Sequence, residues 1–427
     1  MLTAHPQREA LHNEVHARPY ENMTAPLVLS HIALLGPESN AAREHIVTLL
    51  RNRHLPLPAE DANHLSTDLG GVHLRWEKHT EFHTCTFWKP LHEAPKSFDT
   101  TALAEVPQEW LAAMPGHWLV GLHMLVLNDG APESQPQVQQ IVRRELQEDS
   151  LVGARVMDGD AQVYTDLRLA ADGYTRILLV NDGMSPRRLG RAVQRLLEVE
   201  TYRMMALLGL PMAREVGSSL MHAERDLADV AAQIRSAQRQ QEPELLRQLT
   251  QLAGQVESLY ARTHARFSAS GAYFELVQRR IDELREHHIE NLQTLGEFMD
   301  RRLAPAMQTC VWAARRQQAL SERISRTSNL LRTRVEIEQQ QSSQELLDAM
   351  NRRQKAQMML QSAVEGLSVA AVTYYGAGLV GYVAKGAKAA GWAVSPDLAI
   401  ALSIPIIGLA VWWGIRRLHR QVHADAD

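Results

Sequence analysis

The residue types that could bind a metal ion are concentrated near the N-terminal end of the chain. His12 and His16 are four positions apart, a spacing that would place both imidazoles on one helix face, where zinc ligands often lie. His5 could supply a further ligand. The alternative is the commoner role of histidine, a capping or hydrogen-bonded side chain, so the metal assignment stays open.

The same segment contains a cluster of polar residues, Asn13, Glu14, His16 and Arg18, immediately before Pro19. These side chains could bind a small anion or a nucleotide, and we take them as ligand-binding candidates. An equally simple interpretation is that they anchor the N-terminal arm to the folded domain through a buried hydrogen-bond network.

A second set of candidates, His79, Glu81 and His83, alternates along a predicted strand. Successive side chains of a strand point to opposite faces of the sheet, so we expect these three to share one face. That face could bind an ion, with His79 and Glu81 as the ligand-binding candidates. The simpler interpretation, which we favour, is that it is the solvated side of the sheet.

The motifs of common enzyme families are missing from the sequence. It contains no Gly-x-Ser-x-Gly elbow, no Cys-x-x-Cys, no His-Glu-x-x-His and no Gly-x-Gly-x-x-Gly after a strand. Gly381 and Gly386 have the spacing of a phosphate-binding loop, but Ala387 follows where lysine is required. We therefore expect no enzymatic activity and assign no cofactor.

Charge and cysteine content narrow the class of protein. The 427 residues carry a formal net charge of -4 with both signs interspersed, which indicates no basic surface for nucleic acid. The two cysteines, Cys85 and Cys310, fit a reducing compartment without a disulfide framework. Residues 1–18 have no apolar core, so we expect no export signal there.

Two uncharged apolar stretches, residues 366–384 and 398–415, are the strongest signal in the sequence. Each is just long enough to cross a bilayer as a helix. The second ends with two tryptophans and is followed at once by arginines, the pattern of an aromatic belt and a cationic stop. The alternative is a pair of buried core helices, because glycine, serine and Pro405 dilute the hydrophobicity. We expect a C-terminal two-helix transmembrane hairpin.

Lysine and arginine near these stretches predict the orientation of the hairpin. Only Lys385 and Lys388 lie in the connecting loop, whereas the two outer flanks carry Arg352, Arg353, Lys355, Arg416, Arg417 and Arg420. The positive-inside rule then places both flanks, and with them both termini, on the cytoplasmic side of a bacterial inner membrane.

One face of the first apolar stretch could line a pore. The candidates recur at steps of three and four, with Gly376 beside them: Ser368, Ala371, Tyr375, Gly378 and Tyr382. Small residues on one face also serve tight packing between membrane helices, so the stripe fits either role.

The first 184 residues are predicted to form an α+β domain. Strand-like runs bounded by turn residues occur at 26–35, 72–76, 82–88, 117–127, 154–157, 162–169 and 174–180, with helical patterns at 39–51 and 101–114. We expect one mixed or largely antiparallel sheet with helices packed on it.

The rest of the chain is predicted to be helical. Ser185 and Pro186 begin a helix that Gly209 and Pro211 end. Further helices are separated at Glu242-Pro243, Ser270-Gly271 and Ala304-Pro305, and the pattern of residues 274–298 continues one of them. Apolar steps of three and four predict either an antiparallel coiled-coil hairpin or helices that simply pack within one subunit.

The last long helix decides the predicted architecture. From Ala306 to Ala384 there is no proline, so one helix of about 120 Å could run from a stalk into the membrane. Its apolar stripe needs a partner, which predicts a homo-oligomer. The predicted domains are 1–184, cytoplasmic α+β; 185–304, helical bundle or coiled coil; 305–365, stalk helix; 366–384 and 398–415, transmembrane helices; and 416–427, basic cytoplasmic tail.

This order of elements resembles the CorA-type magnesium channel superfamily, most clearly over roughly the last 120 residues. That resemblance implies an ion channel with a cytoplasmic sensing domain. Where the superfamily has Tyr-Gly-Met-Asn, however, this chain has Tyr375-Gly376-Ala377-Gly378. This chain lacks the asparagine amide of that motif and has Lys385 and Lys388 in the loop. Both differences argue against the magnesium selectivity of that superfamily.

A closer resemblance rests on three segments: residues 13–19, 76–82 and 191–204. They look like those of an uncharacterised bacterial family of membrane-anchored proteins, which covers nearly the whole chain and brings no known activity. Cys85 stands where that family usually has tyrosine, which argues against a catalytic thiol or a cysteine metal ligand there.

Two expectations for function follow. The first is a membrane-anchored homo-oligomer of CorA-like architecture that acts as an ion channel or transporter. The alternative is a non-transporting, membrane-tethered scaffold or sensor that binds partners through its helical bundle. In both cases the expected partners are the lipid bilayer and further copies of the chain, with no nucleic acid.

Overall fold

The structure is a computed structural model that describes residues 4–9, 11–12, 19–37, 40–60, 62–129, 134–391 and 393–424. The chain divides into two compact units, Met1–Ala237 with Pro243–Ser328, and Gln238–Glu242 with Asn329–Asp427. Residues on both sides of the boundary expected after residue 184 therefore lie within one compact unit.

The first unit is built on a nine-stranded sheet with the order β2-β3-β4-β1-β5-β8-β7-β6-β9. Among the described strand pairs only β5 with β8 is parallel, so the expectation of an α+β fold with a largely antiparallel sheet is confirmed. The strands are β1 (Leu27–Leu35), β2 (His64–Asp68), β3 (His73–Lys78), β4 (Phe82–Pro90), β5 (His117–Asn128), β6 (Val152–Val156), β7 (Ala161–Thr165), β8 (Thr175–Asn181) and β9 (His287–His288).

Nine α-helices are described. They are α1 (Ala41–Asn52), α2 (Gln108–Ala112), α3 (Ser134–Glu145), α4 (Pro186–Leu207), α5 (Gly209–Ser236), α6 (Glu242–Leu284), α7 (Leu295–Arg302), α8 (Ala304–Ala389) and α9 (Pro396–Ala424). The sequence pattern did not predict β2, β9 or α3. The helix expected at 101–114 is instead a short 3-10 turn, Ala102–Glu105, followed by α2.

Both faces of the central sheet are covered. Strand β1 is an apolar run, and its residues are buried on both sides because alternate side chains point to opposite faces. Leu27 and Leu29 pack in the same core as Val193 of α4, whereas Val28 and Ile32 share the other core with α1 and α3. The sheet is therefore the middle layer of the unit.

Long helices complete the first unit. Glu215 of α5 is paired with Arg262 of α6 at 3.1 Å, and Gly209 at the start of α5 lies beside Ser270 of α6, so the two helices run antiparallel. The Thr263 hydroxyl of α6 accepts a hydrogen bond from the Gln317 amide of α8 at 3.1 Å. Apolar residues spaced by three and four are buried within this unit, as the pattern predicted.

Two helix boundaries were predicted wrongly. Helix α6 runs without a break through Ser270 and Gly271, because α5 approaches it closely there: a β-carbon on Gly209 would lie 2.6 Å from Ser270 Oγ. The helix expected to continue over 274–298 ends at Leu284, where Arg285 has a positive φ of 51°. The chain then forms β9 against β6 before α7 begins.

The helix expected over residues 216–234 is present, but it begins earlier than expected, at Gly209. Helix α4 ends at Leu207 as expected, but α5 follows immediately and contains Pro211 in its first turn. Proline is tolerated there because its missing N–H would have no partner within the helix.

Two helices among the described residues are long and apolar enough to cross a membrane, the helical stretch Leu295–Ala389 and Pro396–Arg417. The criteria are length and composition only, and the core helix of a soluble protein can also meet them. The two helices pack together through glycine. A β-carbon on Gly376 would lie 3.1 Å from Ile407, and one on Gly381 would lie 2.8 Å from Ile400.

Replacing Leu122 by alanine should destabilise the first unit by about 2–5 kcal/mol, because this fully buried residue of β5 would leave a cavity in the sheet core. Denaturant unfolding of the full-length protein, followed by near-ultraviolet circular dichroism, measures the change. Leu169→Ala is the matched control, since that side chain is 71% exposed and its loss should leave the transition in place. Equal effects of the two substitutions would contradict the placement of β5.

Candidate functional site

A cavity of about 410 Å³ lies in the first unit, on the sheet face covered by α4. Its floor is formed by β3, β4 and β1, its wall by α4, and its rim by residues 20–23. Small-molecule sites usually have volumes of roughly 300–1,000 Å³, so the cavity is large enough for a small ligand.

Strand register explains why polar side chains meet at this cavity. Arg75 on β3, Thr86 on β4 and His31 on β1 are direct neighbours across three strands. Because side chains alternate along a strand, Glu77 and Thr84 lie on the same face, two positions further along. The result is a polar patch on a face that is otherwise packed with apolar side chains.

His31 is buried within this patch, and both ring nitrogens have hydrogen-bond partners. The Thr201 hydroxyl donates to the Leu197 carbonyl at 2.8 Å, so its oxygen accepts from Nε2 of His31 at 3.0 Å. The Thr86 hydroxyl then donates to Nδ1 at 2.8 Å. Burial lowers the pKa of His31 to about 4, although Glu77 acts in the opposite direction, so the ring is neutral near pH 7.

The guanidinium group of Arg75 is already paired within the fold. It donates to the Glu77 carboxylate and to the Pro19 carbonyl, both at 2.9 Å. A second carboxylate, that of Glu21, lies 3.8 Å away. Arg75 therefore joins the rim segment to the floor of the cavity.

Arg280 of α6 is held in a similar way. It is ion-paired with Glu198 of α4, and its Nη1 lies 3.1 Å from Oε1 of Glu283. Burial opposes the charge, but Glu198 outweighs it and the pKa of Arg280 is raised. Gln194 donates to Glu198 at 2.9 Å, and its Oε1 is buried without a hydrogen-bond partner among the described residues.

The rim segment, residues 20–23, crosses α4 at Gly190. A β-carbon at this position would lie 1.8 Å from the Glu21 carbonyl oxygen, so only glycine leaves room for the crossing. The Arg191 guanidinium lies 5.4 Å from the centre of the Tyr20 ring and holds the start of the segment against the same helix.

The expectation that His79, Glu81 and His83 share one strand face is wrong. Strand β3 ends at Lys78 and β4 begins at Phe82, so the first two residues lie in the intervening turn, where the two-residue period does not apply. The sheet is also covered on both faces, so the solvated side expected there is absent from the described residues.

These three side chains have separate surroundings. His79 lines the cavity. Glu81 accepts hydrogen bonds from Arg266 at 2.8 and 3.0 Å; burial raises its pKa, but these bonds outweigh burial and the pKa is lowered. His83 lies on the opposite face, where Nε2 donates to the Pro115 carbonyl at 2.8 Å and burial lowers the pKa. Only His79 of the three reaches the cavity.

No contact among the described residues brings the N-terminal candidates together. Asn13, Glu14, His16 and Arg18 lie outside the described residues, and their ligand-binding role stays a prediction. His5 and His12 are exposed. Within the part of the chain that the structure describes, no group of three or more His, Cys, Asp or Glu side chains is placed to hold a metal ion.

Two of the three segments that carry the family resemblance line the cavity. The first ends at Pro19, whose carbonyl accepts a hydrogen bond from Arg75. The other two, residues 76–82 and 191–204, both contribute lining side chains. Two stretches that are far apart in the sequence therefore line one site, and Pro19 of the remaining segment is bonded to it.

In the second unit, five of the six pore-lining candidates lie on one exposed face of α8: Ser368, Ala371, Tyr375, Gly378 and Tyr382. Gly376 belongs to a different face, because it packs against Ile407 of α9. A pore-lining role for the exposed face stays a prediction.

A serine, a histidine and an aspartate also approach one another on the opposite face of the sheet. Ser30 Oγ lies 2.8 Å from His123 Nδ1, and His123 Nε2 lies 4.0 Å from Asp172 Oδ2. Ser30 is completely buried, so its hydroxyl cannot reach a substrate, and 4.0 Å is too long for a hydrogen bond. Burial lowers the pKa of His123 to about 4, and we assign this group a structural role.

Sequence reasoning missed most of the cavity. The one available signal was a polar residue within a largely apolar strand, as with His31 in β1. No comparable signal marks Glu198 or Arg280, because charged residues are ordinary on long helices.

Comparison with known proteins identifies the family of this chain, and that family has no known activity. The family model described as "Protein of unknown function (DUF3422)" matches residues 3–422, nearly the whole chain. No curated protein and no solved structure matches the chain.

Replacing Gly190 by alanine should displace the rim segment and open the cavity, because the new methyl group would overlap the Glu21 carbonyl. We expect a loss of about 1–3 kcal/mol of stability, as for other overpacked sites, measured by equilibrium unfolding. Faster proteolysis within residues 19–23 is the local measurement. Gly217→Ala is the matched control: its β-carbon meets open space in a helix, so stability should rise slightly. Two stabilised variants would contradict the crossing.

Lowering the pH from 7.5 to 5 should destabilise the first unit through its buried histidines. The folded-state pKa of His31, about 4, lies below its ordinary value of 6.5, so the unfolded chain binds the proton first. This stabilisation is complete above pH 6.5 and is lost as the pH falls towards 4, by roughly 3 kcal/mol in total. His123 acts in the same direction.

The measurement is unfolding free energy at both pH values for the natural protein and for His31→Gln, which should show the smaller pH dependence. His92→Gln serves as the control because His92 is exposed and should leave the pH dependence unchanged. An unchanged pH dependence in His31→Gln would show that His31 is not held neutral by burial.

Proposed function

The chain belongs to the DUF3422 family of proteins of unknown function, and we propose that it is a bilayer-anchored protein that self-associates and conducts ions between copies of α8. The observation that carries the proposal is the exposed stripe on α8, which contains Ser368, Tyr375 and Gly378. The resemblance of the sequence to the CorA-type superfamily is the second support for this proposal.

Exposure of apolar side chains supports the bilayer anchor. Leu379 on α8 and Ile406 on α9 are 66% and 65% exposed. Large apolar side chains that the fold itself leaves uncovered favour contact with lipid. At the end of the second span, the Arg416 guanidinium lies 4.5 Å from the Trp412 ring centre. Paired tryptophan and arginine are typical of the membrane interface, and basic flanks favour cytoplasmic termini.

The two sides of α8 differ in a way that supports self-association. Glycines at 376 and 381 let α9 pack closely on one side. On the other side the exposed stripe combines small residues, which allow close approach of another helix, with hydroxyl groups, which can face water in a pore. Copies arranged with this stripe inwards would enclose a polar path.

A second candidate function is a non-transporting membrane-tethered sensor. Lys385 and Lys388 favour it, because both are exposed near the end of α8 and would repel cations at a pore mouth. The ligand-sized cavity in the first unit supports the sensing role in either case.

Gly378→Val should reduce ion flux at least several-fold, because it adds bulk to the exposed stripe at a position where a β-carbon meets open space. The experiment reconstitutes the full-length protein into liposomes, records flux of monovalent cations and anions, and determines the subunit number in lipid nanodiscs. Val383→Leu is the control, since Val383 is 69% exposed on α8 outside the stripe and should leave flux intact.

A symmetric ring with flux lowered only by Gly378→Val supports the conducting assembly. Flux no greater than that of empty liposomes contradicts it and leaves the tethered sensor. Extraction of the protein from membranes by alkaline carbonate without detergent would contradict the bilayer anchor itself.

A further inference from the structure

Carboxylates outnumber guanidinium groups in the lining of the cavity beside His31. Its lining includes three carboxylates, Glu21, Glu77 and Glu198, but only two guanidinium groups. Both guanidinium groups are already bonded to carboxylates of the fold, Arg75 to Glu77 and Arg280 to Glu198. A carboxylate can accept several hydrogen bonds, so these groups keep acceptor capacity after the pairing.

Gln194 adds an acceptor with no donor. Its amide nitrogen donates to Glu198 at 2.9 Å, and this bond orients the amide because a carboxylate only accepts. Oε1 is then buried at the cavity wall without a hydrogen-bond partner among the described residues. A buried acceptor of this kind is costly unless a water or a ligand N–H satisfies it.

His31 adds no positive charge that would repel a bound cation. Each ring nitrogen is bonded within the protein, one to Thr86 and the other to Thr201, and the buried ring is neutral near pH 7. The charged lining therefore has one more carboxylate than guanidinium groups, which favours a cationic ligand.

Aromatic side chains supply the rest of the lining. Tyr20, Phe82, Trp88 and Tyr202 all border the cavity. Aromatic faces attract cations through their quadrupole and pack against apolar or aromatic parts of a ligand. A ligand that carries an ammonium group on a small apolar body satisfies both kinds of lining.

We propose that this cavity binds a small primary ammonium compound, whose N–H groups donate to the lining carboxylates and to Gln194 Oε1 while its apolar part contacts the aromatic side chains. The site lies wholly within the first unit, so the inference is independent of ion conduction. It gives the sensing role a chemical class of ligand.

Three compounds that share one ring and differ at one end test the proposal: tyramine, the corresponding alcohol tyrosol, and 4-hydroxyphenylacetate. Isothermal titration with the full-length protein in lipid nanodiscs, checked against empty nanodiscs, measures their affinities. Tyramine should bind at least about tenfold more tightly than tyrosol, and the carboxylate should bind most weakly. Butylamine is included as an aliphatic amine, and amine affinity should fall as salt is raised.

Two variants connect binding to the named residues. Gln194→Leu removes the unsatisfied acceptor and should weaken tyramine binding about tenfold. Glu21→Gln removes a partly exposed carboxylate and should weaken it about threefold. Gln233→Leu and Glu148→Gln are the matched controls, because both side chains are exposed outside the cavity and should leave affinity unchanged. Thermal unfolding confirms that each variant is folded.

Several results would overturn the proposal. These are no binding of either amine at millimolar concentration, binding of tyrosol or the carboxylate as tight as that of tyramine, or unchanged tyramine affinity in folded Gln194→Leu and Glu21→Gln. Tyramine binding with the expected order and the expected losses would support it. Flux measurements do not enter this test, so failure of ion conduction and failure of amine binding are distinguishable.

Discussion

Strand β1 is hydrogen-bonded along its length to β4 on one side and β5 on the other, and it is covered by helices on both faces. Every side chain in this strand must therefore be apolar or find a partner inside the protein, because an unpaired buried polar group is costly. His31 meets this demand through Thr86 and Thr201, which ties β1 to β4 and to α4. Ser30 meets it on the opposite face through His123.

The cavity follows from the same constraint. Polar side chains on the floor bond to one another and to α4 over a few directions only, so they do not fill the layer as closely packed apolar side chains would. Two arginines are also paired around the cavity: Arg75 is bonded to Glu77, and Arg280 is bonded to Glu198 of the wall. The rim segment can cover the space only because Gly190 permits it to cross α4 in direct contact. Charge pairing, close backbone approach and cavity volume are thus parts of one arrangement.

The second unit depends on a different constraint, the close approach of two apolar helices. Gly376 and Gly381 have no side chains, so Ile407 and Ile400 of α9 can occupy the space above them. This contact uses one side of α8 and leaves the opposite stripe exposed. The five residues of the stripe share one spacing in the sequence, and all five are exposed. Gly376, taken as a further candidate beside them, packs against Ile407 instead, which the sequence could not indicate without the position of the second helix.

Local patterns determined the elements whose residues interact mainly with near neighbours in the chain. Apolar runs located seven of the nine described strands, and the absence of proline from 306 to 384 indicated a continuous α8. Tertiary structure decided the rest. Helix α6 passes through Ser270 and Gly271 because α5 packs there, and β9 forms only because β6 offers an edge. The cavity joins His31, Arg75, Glu198 and Arg280, which lie on four separate elements. No local period relates such residues, since their proximity is set by sheet register and helix packing.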